Sequence, residues 1–594
     1  MEQFMRNGNI KKWVGLVLGL GVTSWAADLG THKGCAATDL DFKTTQIFQG
    51  PAPKSPGNDQ SNSVLKLAFD KQPGNVVDVY FIQKEGVVNR YNGSTKTVDV
   101  LGKIDVDTYG EYGLVGIAVD PDFKNNRYIY VTYSFIEPGT TYSFRISRIT
   151  VGPGLTGKLD MSSEKILIKI PRFYKTWHSA GAMQFDAYGD LYCSIGDNNN
   201  TEITSGNTAD FRGSILRIHP DNSARGYSIP KGNFAEVFAA HFRSKGNATV
   251  AAQYEDTSKV KAEIYIKGTR NAYSLAMDPV RRWLAFGDVG PDQLQYGEEY
   301  NMIKSAVEGG WPYYAGRQNM GAGSSTAGPA SGPYGKPVPL QTDPNAMMNN
   351  LPGIMGVVNL PPNHNPIYAK QAGCAISGPI LRYDGSNPSP TQFPPQLDHK
   401  WLITDCTNGG YAFILMTFDA KGDTVLGGDN KRIFLGENFH SHGQIVDAQQ
   451  GPDGSLYLVD YGTGGIYRTD YTGTCKDPTL LADKTGCTDP IAKNYDASVP
   501  VAYHDPRLCN YSSSISGQVL TRNPLVIDGK SVTVSLSGGY EIKALDVKGR
   551  IEFAMSGEGP NTFVLPALKH SGVYRLQITS RDGVFSRKML SMTP

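Results

Sequence analysis

Ile117-Ala118-Val119-Asp120-Pro121-Asp122-Phe123 leads into Tyr128-Ile129-Tyr130-Val131, and the same succession recurs along the chain. A short apolar stretch meets Asp-Pro or a related turn, and a strand follows that ends in a small or acidic residue. Met183-Gln184-Phe185-Asp186 leads to Asp190-Leu191-Tyr192-Cys193, and Leu275-Ala276-Met277-Asp278-Pro279 leads to Trp283-Leu284-Ala285-Phe286-Gly287-Asp288. Gln450-Gly451-Pro452-Asp453-Gly454 leads to Leu456-Tyr457-Leu458-Val459-Asp460. Weaker copies are Leu67-Ala68-Phe69-Asp70 before Val79-Tyr80-Phe81-Ile82, and Lys400-Trp401-Leu402-Ile403-Thr404-Asp405. Six such copies between about residue 60 and residue 470 signal a β-propeller, each hairpin forming the inner part of a blade. Period-2 alternation and Gly, Pro and Asp turns agree with strands.

Composition points the same way. Glycine makes up 67 of 594 residues, about 11% against an average near 7%, so turns are frequent. A hydrophobic content of 40% is too high for a disordered chain. The formal net charge is +1, which gives no basic stripe for a nucleic-acid partner. Uneven spacing between copies requires long loops, clearest from Gly316 to Pro366, where Gly, Pro, Ser and Asn dominate. Such loops are commonly functional.

At the N-terminus, Arg6, Lys11 and Lys12 precede the apolar run Trp13 to Val22 and then Ser24-Trp25-Ala26-Ala27. This is the layout of a secretory signal peptide over residues 1–27, and the run is short for a membrane span. An uncleaved anchor is the alternative. Nothing after Asp28 approaches 18 consecutive apolar residues, so no transmembrane segment is expected in the mature chain. A secreted or cell-surface location follows, and export permits disulfides. The 7 cysteines leave at least one unpaired. Cys193, in the apolar run Leu191 to Ile195, is the expected buried thiol; Cys487–Cys509, Cys374–Cys406 and Cys35–Cys475 are the expected bridges.

Four groups of motifs, in order along residues 60–470, resemble the soluble quinoprotein glucose/sorbosone dehydrogenase family. They are Gly110-Glu111-Tyr112-Gly113-Leu114-Val115-Gly116 with Asp120-Pro121-Asp122-Phe123, and His178-Ser179-Ala180-Gly181-Ala182-Met183 with Gly196-Asp197. The third runs through Gly268-Thr269-Arg270-Asn271, Gly287-Asp288-Val289-Gly290-Pro291, Glu298-Glu299-Tyr300-Asn301 and Gly309-Gly310-Trp311-Pro312; the fourth is Gly451 to Tyr457. The resemblance implies a six-bladed propeller over residues 36–472, the number of copies counted above. It also implies pyrroloquinoline quinone (PQQ) on the central face, bridged to protein oxygens by calcium, with a sugar or polyol oxidised and an external acceptor taking the electrons. His178 takes the place of the family's catalytic base, a role that suits an imidazole near neutral pH. Arg270 and Asn271 match the pair that holds the quinone, and Glu111 and Asp460 fall at cofactor-facing positions. Gly290 and Pro291 match calcium-binding carbonyls, with Glu298 or Glu299 adding a carboxylate, a mixture of hard oxygens that calcium takes.

The departures carry information too. Glu111 stands where the family has Gln, the segment Thr404 to Gly409 holds no Lys or Arg, and Gln444 replaces an expected arginine. Three buried carboxylates of PQQ without cationic partners are costly. A non-catalytic glycan-binding propeller and a calcium-dependent lactone hydrolase therefore stay open beside the dehydrogenase. His440 and His442 form a further candidate pair, for metal or substrate.

A linker over residues 473–514 contains Gly486-Cys487-Thr488-Asp489-Pro490 and resembles a short cysteine-bounded module of bacterial surface proteins. Residues 515–594, with Val532 to Leu536 and Val573 to Ile578, read as a small C-terminal β-sandwich. The segment from Gly572 to Leu590 resembles a sorting domain of the type IX secretion pathway. The expected architecture is thus all-β, a propeller followed by a small sandwich.

Overall fold

A computed structural model describes residues 42–473, apart from short stretches of which the longest are 317–346 and 417–430, and strand segments between 525 and 591. The leader, Cys35, Pro291, His440, His442 and the three cysteines of the linker lie outside the described residues. The chain divides into two units, Met1–Tyr511 and Ser512–Pro594.

The first unit is a succession of mostly four-stranded antiparallel sheets. Val64–Phe69, Val79–Gln83, Val87–Tyr91 and Val98–Lys103 form the first; Leu114–Val119, Tyr128–Glu137, Thr141–Val151 and Leu159–Pro171 form the second. The third runs Ala180–Phe185, Leu191–Ile195, Ser214–Pro220 and Ile264–Lys267, and Val307–Glu308 adds a parallel strand at its edge. The fourth is Ser274–Met277, Leu284–Asp288, Glu298–Ile303 and Tyr368–Lys370; the fifth is Ala375–Ile380, Trp401–Asp405, Ala412–Met416 and Lys431–Phe434. Ile445–Gln450, Leu456–Asp460 and Gly465–Tyr471 make the sixth, which the chain's early strand Phe42–Gln49 completes.

The opening strands of these sheets touch in cyclic order. Val64–Phe69 meets Leu114–Val119, then come Ala180–Phe185, Ser274–Met277, Ala375–Ile380 and Ile445–Gln450, which returns to Val64–Phe69. This is a propeller-like ring, closed by a sheet that joins the two ends of the unit. The burial follows. Val64–Phe69 and Leu114–Val119 are buried throughout, whereas the outer strands Val98–Lys103 and Leu159–Pro171 expose residues to solvent. Close approach at the ring explains Gly116, where an added Cβ would lie 1.8 Å from the Gly181 carbonyl oxygen. A side chain there would separate two sheets.

The recurrent Asp has a defined task. Asp120 N donates to Tyr128 O at 3.1 Å, Asp186 N to Asp190 O at 3.0 Å and Asp278 N to Trp283 O at 2.8 Å, each closing the turn between the first two strands of its sheet. The carboxylates then bind locally, with Tyr130 Oη donating to Asp120 at 2.8 Å and Tyr457 Oη to Asp453 at 2.9 Å.

Two helices, Phe234–Ser244 and Ala248–Glu255, interrupt the third sheet's chain path. Phe234, Phe238 and Phe242 recur every fourth residue and are buried against Tyr254, the amphipathic stripe of a helix. The strand repeat alone did not foresee them. Cys374 and Cys406 form a disulfide between the first two strands of the fifth sheet, and Cys193 is a buried free thiol, as expected.

In the second unit, Leu525–Asp528, Ser531–Val534 and Asn561–Val564 form one antiparallel sheet, and Gly539–Leu545, Ile551–Glu558, Gly572–Ser580 and Gly583–Ser591 form another. Val532, Val534, Ile542, Ala544, Leu576 and Ile578 share one apolar cluster between them. Among the described residues no helix is long and apolar enough to cross a membrane.

Candidate functional site

The segments that enter the inner strands bring His178, Glu111, Arg270 and Asn271 together. His178 precedes Ala180–Phe185, Glu111 precedes Leu114–Val119, and Arg270 and Asn271 precede Ser274–Met277. His178 and Ala180 are left-handed, at φ +62° and +49°, a costly backbone for residues with a Cβ and one that surrounding bonds must hold. They do so here. His178 N donates to Glu111 Oε2 at 2.8 Å, Ser179 Oγ to the Glu111 carbonyl at 3.0 Å, and Ala180 N to Asn271 Oδ1 at 3.0 Å. Asn271 Nδ2 reaches Glu111 Oε2 at 3.5 Å, closing the set.

The imidazole is held from behind. His178 Nδ1 lies 2.5 Å from Asp197 Oδ1, and Trp311 Nε1 donates to Asp197 Oδ2 at 3.0 Å. Asn199 N also donates to Oδ1, at 2.7 Å. Burial alone would push the Asp197 carboxyl up, but the neighbouring His178, the Arg270 guanidinium and the Trp311 indole outweigh it and hold it below its usual value. Asp197 is therefore an ionised acceptor, Nδ1 carries a proton, and Nε2 is left as the basic nitrogen. Asp197 is a partner that the repeat does not single out; its signal was the Gly196-Asp197 pair at a strand end.

Asp288 fixes the next element. Its oxygens accept from Arg270 N at 2.9 Å and Asn271 N at 2.7 Å. Burial pushes the Asp288 carboxyl up to about 6. The Arg270 guanidinium donates to Val289 O at 2.8 Å and lies 5.7 Å from the Trp311 ring centre. Glu299 is the register partner of Asp288 across the fourth sheet. Burial first, and then the Asp288 charge, hold its carboxyl well above the ordinary range. Its oxygens accept from Gly316 N at 2.6 Å and Asn301 Nδ2 at 3.3 Å. Glu298, on the other face of the same strand, accepts from Ala375 N at 2.7 Å, while its Oε1 is buried with no hydrogen-bond partner among the described residues. Gly290 packs against Gly297, whose carbonyl oxygen would be 2.0 Å from an added Cβ. Asp460 Oδ1 holds its own turn, accepting from Gly462 N at 2.9 Å and Thr463 N at 3.3 Å.

The donor set can be weighed against the implied groups. Among the described residues no group of three or more His, Cys, Asp and Glu side chains forms a metal cage. A hard cation would therefore draw on single carboxylates and backbone carbonyls, for which the orphaned Glu298 oxygen is suited. The Arg270 charge lowers the carboxyls of Glu111, Asp197 and Asp288, one cation near three acids. A tricarboxylate bound beside them would need a cation at its side. PQQ would fit these residues only with such a cation beside it. A separate cavity of about 360 Å³ is lined by the far ends of the inner strands, including Leu67–Phe69, Ile117–Val119 and Met183–Phe185, away from this site.

Comparison with known proteins adds a family. The model of the Glucose / Sorbosone dehydrogenase family matches residues 73–343. Quinoprotein glucose dehydrogenase B of Acinetobacter calcoaceticus is 27% identical over 250 residues, 39% of this chain and 46% of that protein. An aldose sugar dehydrogenase of Escherichia coli is 23% identical over 220 residues, 37% of this chain and 51% of that protein. The chain thus spans about half the length of the curated relatives it matches. Among solved structures, the apo aldose sugar dehydrogenase of Escherichia coli is 20% identical, covering 72% of this chain and 99% of that one at a TM-score of 0.49. The PQQ-bound aldose sugar dehydrogenase of Streptomyces coelicolor is 19% identical, covering 73% and 98% at 0.46. The chain is thus similar to this family over residues 73–343, and its ring of four-stranded sheets is consistent with a propeller-like fold.

Proposed function

We propose that the chain is an exported oxidoreductase that oxidises a sugar or polyol at the face carrying His178. The observation that carries this reading is the His178–Asp197 pair, buried and held at 2.5 Å. A proton on Nδ1 leaves Nε2 to take the proton of a substrate hydroxyl, and the ionised Asp197 stabilises the imidazolium that forms. Trp311 keeps the second carboxylate oxygen engaged, so Asp197 stays turned to the ring. Glu111 and Asn271 hold the strained backbone of His178 and Ala180, which fixes the imidazole's direction. Arg270 and Asn271 would hold PQQ, with Asp460 and Glu111 facing it, and Gly290, Pro291 and Glu298 or Glu299 would serve calcium. When bound, the quinone supplies a two-electron acceptor for the hydride that leaves the carbinol carbon. We read each sheet of the ring as one blade, six in all, and the second unit as a β-sandwich that serves as a sorting tail. The leader would direct the chain to the cell surface or beyond.

A calcium-dependent lactone hydrolase is the second reading, favoured by the excess of carboxylate over cationic groups around Arg270. One experiment separates them. Mature protein is titrated with PQQ and calcium, and dye reduction is followed with a panel of aldoses, with His178→Ala as control. Saturable cofactor binding and sugar-dependent reduction that the control abolishes support the dehydrogenase. No cofactor binding at saturating calcium overturns it, and lactone hydrolysis is then assayed directly.

A further inference from the structure

We infer that Lys66 is a positioning residue for the cofactor, a cation set at the His178 end of the ring to hold a carboxylate of the quinone. The inference rests on the reading of this face as a quinone site, and it supplies a charge that Arg270 alone does not.

Lys66 is the third residue of the inner strand Val64–Phe69, every residue of which is buried, and it is itself 3% exposed. Lysine is seldom buried to this degree unless its charge is paired or used. Nζ donates to Val446 O at 2.7 Å and lies 4.0 Å from the centre of the Tyr273 ring. Asp447 is the charged group that acts on it, from further off. The Asp447 Oδ2 is engaged elsewhere, accepting from Leu67 N at 2.9 Å and Gln449 Nε2 at 3.3 Å. An ammonium carries three donors. Among the described residues Val446 O takes one and the Tyr273 ring attracts the charge, so a donor is left for an anion.

The side chain reaches the end of the ring that carries His178. Glu111, His178 and Arg270 all precede the inner strands of their sheets. Tyr273 directly precedes Ser274–Met277, and Val446 is the second residue of Ile445–Gln450. The ammonium therefore sits at the entry end, whereas Leu67–Phe69, the next residues of its own strand, line the cavity at the other end. Tyr273 shares one apolar cluster with Val115, Val446 and Val289, and Val289 O accepts from the Arg270 guanidinium at 2.8 Å. The same cluster thus connects Lys66, on Tyr273, with Arg270, on Val289. Tyr273 and Val289 are only half-buried, so the cluster meets solvent there. Cations from the first and the fourth sheet would fix the orientation of a tricarboxylate as well as its affinity.

The test reads binding without turnover. The full mature chain at saturating calcium is titrated with PQQ, followed by cofactor absorbance and tryptophan quenching, and its melting temperature is recorded. Lys66→Met removes the charge at similar length. The double variant Lys66→Met with Asp447→Asn removes both charges, which restores stability where a lone buried acid costs it. Both variants should bind PQQ roughly 10- to 100-fold more weakly than the wild type, the scale of one charge-assisted contact. Burial lowers the ammonium to about 8, so wild-type affinity should fall as pH rises beyond that value, and the variants should show no such fall. Wild-type affinity in folded Lys66→Met, with sugar still oxidised, overturns the role of Lys66 alone. Affinity that returns with stability in the double variant also overturns it and leaves a pair that staples the first sheet to the sixth. No PQQ binding by the wild type overturns both Lys66 and the quinone reading. Lys66-dependent binding without oxidation of any aldose keeps Lys66 and sinks the sugar dehydrogenase.

Discussion

Replacing Asp197 by Asn is the sharpest perturbation of the site. The carboxylate is held by three donors: His178 Nδ1 and Asn199 N on Oδ1, and Trp311 Nε1 on Oδ2. A carboxamide offers one acceptor and one donor. With its NH2 at the Oδ1 position it faces the Asn199 amide and obliges His178 Nδ1 to accept, which moves the ring proton to Nε2 and removes the base. With its NH2 at the Oδ2 position it faces the Trp311 N–H, leaving a buried donor unsatisfied at a cost of about 1–3 kcal/mol. Either way the imidazolium loses a charge-assisted bond worth roughly 1.5–3 kcal/mol, which is about 10- to 150-fold in rate. In the first orientation the tautomer error adds to this; the corresponding change in a serine-protease triad costs about 10⁴ in kcat. Asp197→Asn is therefore expected to lower kcat by roughly 10²–10⁴ with a much smaller change in sugar affinity. Steady-state kinetics with PQQ and calcium measure the first, and calorimetry the second. Nitrogen-detected NMR of His178 reports the tautomer without any turnover, with Nδ1–H expected in the wild type and Nε2–H in a variant whose NH2 takes the Oδ1 position. A variant that keeps activity within tenfold of the wild type would refute the reasoning, and an unchanged tautomer would place the NH2 at the Oδ2 position.

Two further changes test the frame that carries the site. Gly116→Ala places a Cβ 1.8 Å from the Gly181 carbonyl oxygen, so two inner strands must part; we expect a loss of roughly 1–3 kcal/mol in denaturant unfolding, and an unaltered midpoint would show that the ring yields there. Glu308 is buried, its Oε1 accepts from Gly310 N at 3.3 Å, and burial pushes its carboxyl from the ordinary 4.5 up to about 8. The unfolded chain releases this proton near 4.5 and the folded chain keeps it until about 8, so stability falls as pH rises through that window. Glu308→Gln should then melt above the wild type at pH 8, with the difference shrinking towards pH 4.5; a difference independent of pH would remove Glu308 as the cause.

How much of this was legible beforehand depends on how far each signal reaches along the chain. The Asp-containing turns were readable because each closes a hairpin within a few residues, as Asp120 does with Tyr128 and Asp278 with Trp283. The burial of Cys193 followed from a local strand pattern too. The helix Phe234–Ser244 was missed because a search for period-2 strands passes over aromatic residues spaced every fourth position. Pro291 and the linker cysteines lie outside the described residues. The His178 motif pointed to a base, yet nothing local said that Asn271, 93 positions on, would hold the backbone of Ala180, or that Trp311 would share Asp197 with the imidazole.

The sequence by itself determined the elements, because alternating apolar residues and Asp, Gly and Pro turns act over a few positions. It also determined the residue types at the site: one imidazole, one guanidinium and a set of acids. Tertiary structure alone decided their relations. Closing the ring with Phe42–Gln49 against Gly465–Tyr471 completes the sixth sheet, and the inner strands of the second, third and fourth sheets bring their entry segments together. There the low-dielectric interior settles which acids ionise: Asp197 beside His178 and Arg270 stays charged, while Glu299 against Asp288 is pushed towards its neutral form. Charge state depends on distance through space, and no spacing along the chain encodes that.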